Sequence, residues 1–483
     1  MLFNSYEFIF LFLPITLIVY FLLSKKNSKL SKLWLVLASL YFYSYFNKIY
    51  LLLILGSIGI NYTIGSSLSK TNDYIKRKIL LVLGVLLNLG ALGYFKYYDF
   101  FIENINVIFK TNFNLLHILL PLGISFFTFQ QVSYVVDSYR QKSLQYDFLS
   151  YCLFVTFFPQ LIAGPIVLPA EMLPQFEDEN NKTVNWENIN KGMYIFSIGL
   201  AKKVIIADTI ARFANAGFDM MDSLNFAEAW LTSISYTLQL YFDFSGYCDM
   251  AIGIGLMFNI LLPFNFNSPY KACDFQEFWR KWHITLGRFM TNYLYIPLGG
   301  NRKGELRTLR NLLLVFLLSG IWHGAGWNFI IWGLLHGLCI LIHRVWKNIG
   351  MKLPKLLGWF ITINLVNIFW IFFRAKTLKG AMKVISGMFD LNGFIYLVKH
   401  PTNIFDFASN LLNKSAEMLG GLGNKETILF FGLGILIVFL AKNSLELLHK
   451  FKPKLIYNFE ISFYMLISIF SLTGISTFLY FNF

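Results

Sequence analysis

The stretch Asn311-LLLVFLLSGIWHGAGWNFIIWGLLHGLCILIH-Arg344 decides how this chain folds. Arg307 and Arg310 stand before it, and Arg344 and Lys347 close it, so both ends are basic. Basic residues mark the cytoplasmic ends of membrane segments. The apolar run is therefore predicted to enter the bilayer and return to the side it left. The reversal falls at His323-Gly324-Ala325-Gly326, where two glycines permit a tight turn. The inward leg from Leu312 to Trp322 counts 11 residues, about 17 Å as helix and little more than half of a hydrocarbon core. This length predicts that His323 sits deep inside the membrane.

The rest of the chain has the same character. Of 483 residues, 56% are hydrophobic and 14% charged, where a soluble domain carries about 25% charged residues. The mean hydropathy is +0.55. Apolar runs long enough for a spanning helix begin near Phe8, Leu33, Ile49, Ile79, Ile118, Phe148, Met193, Ala229, Phe329, Leu357, Ile428 and Ile461. They predict an all-α polytopic membrane protein with about ten to twelve transmembrane or re-entrant segments. Residues 1–483 read as one membrane domain. The absence of a visible internal repeat argues against an inverted-repeat transporter. The net charge of +15 points to anionic membrane lipids rather than nucleic acid.

Lys25, Lys26, Lys29 and Lys32 follow the first apolar run, which reads as a retained helix rather than a signal peptide. With the clusters Lys70–Lys78, Lys271–Arg310, Arg344 to Lys355, and Arg374 to Lys383, they are expected on the cytoplasmic side. The acidic loop with Glu171, Glu177, Asp178, Glu179 and Glu187 is expected outside, as is the N-terminus. Cys152, Cys248, Cys273 and Cys339 form no C-x-x-C pair and read as inert buried residues, with no metal site.

An ionisable group at bilayer depth is costly and usually marks function. His323 fits that description, and an imidazole suits general-base work at neutral pH. It also fits a packing histidine that bonds a neighbouring helix. His283 lies in Phe275-QEFWRKWHITLGRFM-Thr291, where Trp279 and Trp282 mix with Arg280 and Arg288. That is the pattern of an interfacial anchor, or of a cavity mouth whose basic rim holds an anionic donor. His336 and His343, seven residues apart, can share one helical face. Asp243 and Asp249 lie in the apolar run Leu238-QLYFDFSGYCDMAIGIG-Leu256, as a structural bridge to an arginine or as an orienter of a histidine. The turn Tyr295-IPLGGN-Arg302 lacks P-loop spacing, and no G-x-S-x-G elbow is present.

Taken in order, several pieces resemble the membrane-bound O-acyltransferase family, in its bacterial alginate O-acetylation branch. They are MLFNSYEFIFLFLP at the start, LPLGISFFTFQQVSYVVDSYR from Leu120, FFPQLIAGPI from Phe157 and the run from Leu238. PFNFNSPYKACDFQEFWRKWHITLGRFMTNYLYIPLGGNRKG from Pro263 and LLSGIWHGAGWNFIIWGLLHG from Leu317 follow. The matching motifs cover roughly residues 115–345; the helices of 357–483 match less sharply. The resemblance implies a ring of helices around a central funnel or tunnel. It implies His323 as the catalytic histidine and His283 as its polar partner. Trp279, Arg280, Trp282, Arg288, Trp322, His336 and Asp243 complete the expected substrate-binding set.

The implied reaction moves an acetyl group from a cytoplasmic thioester, acetyl-CoA, towards an extracytoplasmic polysaccharide. His323 would take the proton of the attacking hydroxyl, while His283 positions the donor or stabilises the oxyanion. No tightly bound cofactor is expected. A separate extracytoplasmic SGNH-type protein is the expected partner. D-alanyl transfer to teichoic acid and non-enzymatic polysaccharide or lipid transport are the competing readings.

Overall fold

Helix is the only regular structure among the residues described in the computed structural model, which are 1–140, 146–419, 424–472 and 478–479. Backbone polar groups in lipid must be satisfied within their own segment, and helices achieve this. By length and composition, four helices among the described residues can cross a membrane: Ile49–Lys70, Tyr74–Phe109, Trp327–Asn348 and Lys355–Arg374. The count rises to six if the bent pairs Leu378–Met388 with Leu391–Lys399 and Asn424–Leu440 with Ser444–Lys450 are each one span. The other expected segments fall on shorter or more polar helices. The run from Phe148, for example, breaks after nine residues at Phe157, ahead of Pro159. The helix Phe226–Met257 has 32 residues.

Two compact units share the chain. The first comprises Met1–Ser197, Tyr247–Phe264 and Phe451–Ile461. Its centre is aromatic: Phe3 stacks on Tyr247 with ring centroids 4.9 Å apart, Phe42 meets Phe158 at 5.5 Å, and Phe158 meets Phe258 edge-on at 5.9 Å. Each such pair contributes about 0.5–1.5 kcal/mol beyond its area burial. The helix Trp186–Ala201 crosses Phe226–Met257 backbone to backbone, since a Cβ on Gly192 would meet the Gly253 carbonyl at 2.5 Å. Small residues at such crossings permit close van der Waals contact in lipid.

One end of this unit overturns an orientation expectation. Lys32 Nζ lies 2.9 Å from Glu177 Oε2 and donates to Ser150 Oγ at 2.8 Å. Lys182 pairs with Glu179 at 2.5 Å and donates to Ser28 Oγ. The Lys25–Lys32 cluster and the acidic loop therefore lie on the same side, not on opposite ones. Carboxylates steer topology weakly. Here they neutralise two lysines whose side chains are only 5% exposed.

The second unit comprises Ile198–Gly246, Asn265–Lys450 and Ser462–Phe483. Its hairpin runs from Glu305–His323 into Trp327–Asn348, and Arg344 Nε meets Glu305 Oε1 at 2.6 Å, so both outer ends lie together as expected. The legs touch at two glycines. A Cβ on Gly320 would meet the Phe329 carbonyl at 2.4 Å, and one on Gly333 the Phe316 carbonyl at 2.5 Å.

The inward leg is longer than the hydropathy suggested. It starts at Glu305 after the left-handed Gly304 and has 19 residues, about 28 Å. Arg307 and Arg310 extend the helix because their charged heads can reach outward while the backbone stays helical. His323 thus stands about 28 Å along the helix from Glu305, close to the thickness of a hydrocarbon core.

A second orientation expectation fails for a related reason. The clusters around Lys355 and Arg374 stand at opposite ends of the 20-residue helix Lys355–Arg374. They cannot both be cytoplasmic if that helix spans. Arg374 pairs with Asp219, Lys376 meets Asp219 Oδ1 at 3.1 Å, and Lys383 donates to the Met221 carbonyl at 2.6 Å. Charges satisfied in this way lose their force as topology signals.

Candidate active site

His323 is the last residue of its helix, which stops where Gly324 and Gly326 turn to extended backbone. Any residue adopts that conformation, so packing explains the first glycine: a Cβ on Gly324 would lie 2.1 Å from the Phe329 ring. The turn is tied to the end of the next helix, where Asn328 Nδ2 donates to the Ala375 carbonyl at 2.6 Å. The His323 ring is 4% exposed. Around it stand Trp322, Trp332 and Phe373, with ring centroids at 4.8, 5.0 and 5.1 Å.

His283 arrives from a different element. The expected amphipathic segment breaks into two short helices, Phe275–Lys281 and Ile284–Met290, and His283 at the break has φ +46° and ψ +51°. A non-glycine residue in the left-handed region carries strain of roughly 1–3 kcal/mol and persists only where its surroundings impose it. Here the preceding strand of irregular chain imposes it. Asn267 N–H donates to the Lys281 carbonyl and Ile284 N–H to the Asn265 carbonyl, both at 3.0 Å. Phe278, Trp282 and His283 are each 1% exposed, so the segment enters the core rather than anchoring at the interface.

The two imidazole rings are neighbours, with centroids 6.2 Å apart and planes tilted by 57°. Phe244 meets the His283 ring edge-on at 4.9 Å, and Trp322 lies 6.3 Å from it. Asn265 Oδ1 lies 3.1 Å from His283 Nδ1 and accepts from Thr285 N–H at 3.2 Å and Thr285 Oγ at 2.9 Å. Burial pulls the His283 ring down to about 3, so it is neutral at ordinary pH.

The remaining candidates divide between this centre and other places. Trp279 Nε1 donates to His336 Nδ1 at 3.3 Å. His336 is fully buried, and Trp332 stands between it and His323, 4.9 Å from one ring and 5.0 Å from the other. Trp282 packs on Trp370 at 4.9 Å and Phe266 at 5.0 Å. Arg280 is exposed and Arg288 half-buried. Asp243 is engaged elsewhere: Lys203 Nζ lies 2.5 Å from its Oδ1, and its Oδ2 accepts from Leu479 N–H at 3.0 Å. His343 lies near the hairpin's outer end, 3.7 Å from Asp274. None of the four cysteines is in a disulfide.

Asn265, Trp332 and Phe373 were not singled out by sequence reasoning. Asn265 sits in the quoted Pro263 motif, but nothing in its spacing shows that it touches a histidine 18 residues on.

Residues 137–375, which hold the whole histidine centre, match the membrane-bound O-acyltransferase family. The peptidoglycan O-acetyltransferase of Helicobacter pylori is 50% identical over 480 residues, covering 92% of this chain and 90% of that protein. The chain belongs to the membrane-bound O-acyltransferase family. It is also 41% identical over 396 residues to the probable alginate O-acetylase AlgI of Pseudomonas aeruginosa, covering 80% and 75% of the two chains. The teichoic acid D-alanyltransferase of Bacillus subtilis is more distant, 26% identical over 48% of this chain. As a membrane-bound O-acyltransferase this is a multi-pass bacterial membrane enzyme. Its acyl-transfer chemistry must be sought among polar groups that a bilayer would otherwise exclude.

Proposed function

We propose that this O-acyltransferase takes an acetyl group from acetyl-CoA on the cytoplasmic side and moves it across the membrane for O-acetylation of an extracytoplasmic polysaccharide. The glycan of peptidoglycan is the preferred acceptor, because similarity to the peptidoglycan enzyme is higher and extends further than that to the alginate protein. The observation that carries the reading is the pair of buried histidines. An oxygen hydrogen-bonded to one nitrogen of each ring needs those nitrogens roughly 5–6 Å apart, which a centroid separation of 6.2 Å accommodates. An attacking hydroxyl or a developing oxyanion fits between them.

In this reading His323 and His283 are the catalytic residues, within a ring of helices around a funnel open to both faces. Trp279, Trp282, Trp322 and His336 shape an aromatic wall against the thioester, and Arg280 and Arg288 lie towards the anionic donor. Asp243 supports the wall indirectly, through the helix that carries Phe244. A separate extracytoplasmic protein of the SGNH type completes transfer to sugar.

The test is the O-acetyl content of the cell wall in a strain lacking the protein and complemented with wild type or His323→Ala. Wild type restores acetylation, and the variant, present in the membrane at equal level, does not. Full acetylation by the variant overturns the reading. Labelled acetyl-CoA and a D-alanyl carrier thioester, offered to the purified protein in turn, separate acetyl from D-alanyl transfer.

A further inference from the structure

The geometry points to Asn265 as the residue that sets the tautomer of His283 and thereby makes His283 Nε2 a proton acceptor. The inference rests on the reading of the histidine pair as the reactive centre, and it divides the labour within that pair differently from the family resemblance.

Asn265 Oδ1 receives the backbone N–H of Thr285 at 3.2 Å and the Thr285 hydroxyl at 2.9 Å. A peptide N–H can only donate. The side-chain atom facing it is therefore the amide oxygen and not the amide nitrogen. The same oxygen stands 3.1 Å from His283 Nδ1. An oxygen has no proton to give, so Nδ1 must carry one. In the neutral ring a proton on Nδ1 leaves the lone pair on Nε2. The backbone pairing of Asn265 and Asn267 with Ile284 and Lys281 holds donor and acceptor in register.

A neutral His283 in this state has no N–H left for an oxyanion. It can take a proton. The acceptor hydroxyl gives its proton to Nε2 as its oxygen bonds the thioester carbonyl carbon. The C–S bond then breaks, and the imidazolium returns the proton to the departing thiolate, giving ester and free thiol. The Nδ1–H bond to Asn265 persists throughout. An amide, unlike a carboxylate, orients the ring without adding charge, so the ring stays neutral before reaction. Phe244 and Trp322 beside the ring carry no charge, and His323 is a titratable group next to it. Asn265 is thus a positioning residue, and His283 the group it positions.

The experiment uses the full-length protein in lipid nanodiscs with isotopically labelled histidine, the His283 signals being assigned with His283→Gln. Nitrogen NMR at neutral pH should show a protonated Nδ1 and a bare Nε2. Asn265→Ala should lose that preference. A neutral His283 with its proton on Nε2 in the wild type overturns the assignment.

Kinetics supply a second readout on acetyl-CoA cleavage. Asn265→Ala should lower kcat about 100-fold with little change in KM. Asn265→Asp keeps the acceptor oxygen for Thr285, so it retains the fold. Its new carboxylate should raise the acid limb of the kcat profile by about one pH unit or more. An unmoved acid limb in a folded Asn265→Asp variant also counts against the assignment. If NMR shows the expected tautomer but the wild type consumes no thioester, the acetyl-transfer reading fails and the Asn265 assignment stands.

Discussion

Lys32 Nζ lies 2.9 Å from Glu177 Oε2, joining a basic cluster and an acidic loop separated by 145 residues of chain. Two charges in contact share one side of a membrane. Cysteines introduced at Lys29 and Asn180, exposed neighbours of this pair, should therefore show the same accessibility to an impermeant maleimide. The basic cluster predicts protection of both in intact cells and labelling of both after permeabilisation. Labelling of only one in intact cells would separate the loop from the lysines.

Lys203 and Asp243 form a buried pair at 2.5 Å, each side chain 2% exposed. Breaking such a pair leaves an uncompensated charge and costs about 3–5 kcal/mol. Lys203→Met should lower the thermal unfolding midpoint of the detergent-solubilised protein markedly. Asp208, 2.8 Å from the same Nζ, is stranded along with Asp243, so Lys203→Met with Asp243→Leu recovers only part of the loss. A midpoint unchanged in Lys203→Met contradicts this account.

At Gly320 a methyl group would press on the Phe329 carbonyl at 2.4 Å and on the Gly333 backbone at 3.1 Å. Overpacking of this kind costs about 1–3 kcal/mol. His323 lies three residues further along the same helix, so Gly320→Ala should cut acetylation more than it cuts membrane abundance. Gly432 has nothing within 4 Å of its added Cβ, and Gly432→Ala should leave both unchanged. Equal behaviour of the two variants would dismiss the close-approach argument.

Burial lowers the His283 ring from its ordinary 6.5 to about 3. Between those values the unfolded chain binds a proton that the folded chain refuses, so stability falls as the medium is acidified. The contribution is intact above pH 6.5 and is lost progressively towards pH 3. His283→Gln removes this site from the balance. Its unfolding midpoint should fall less steeply than that of the wild type across that range. Parallel pH slopes would show that His283 is not held neutral by the fold.

Hydropathy alone determined the class of this protein. Apolar runs of spanning length and basic residues at both ends of Asn311–Arg344 require helices and a reversal at His323, because burial in lipid adds up along the chain. His323 stood out as an ionisable group in an apolar run, with a packing role left open, and His283 was joined to it by the family resemblance and not by its own surroundings. Partnering was not legible. Whether Arg374 is a cytoplasmic anchor or the mate of Asp219 depends on what stands beside it in space. So does the use of Asp243 by Lys203 rather than by a histidine. The position of His323 turned on whether Glu305 to Arg310 continue the helix, which their polarity concealed. Only the tertiary structure brought Asn265 onto His283, because hydrogen bonds act over about 3 Å and pair residues by proximity, a property that periodicity does not encode.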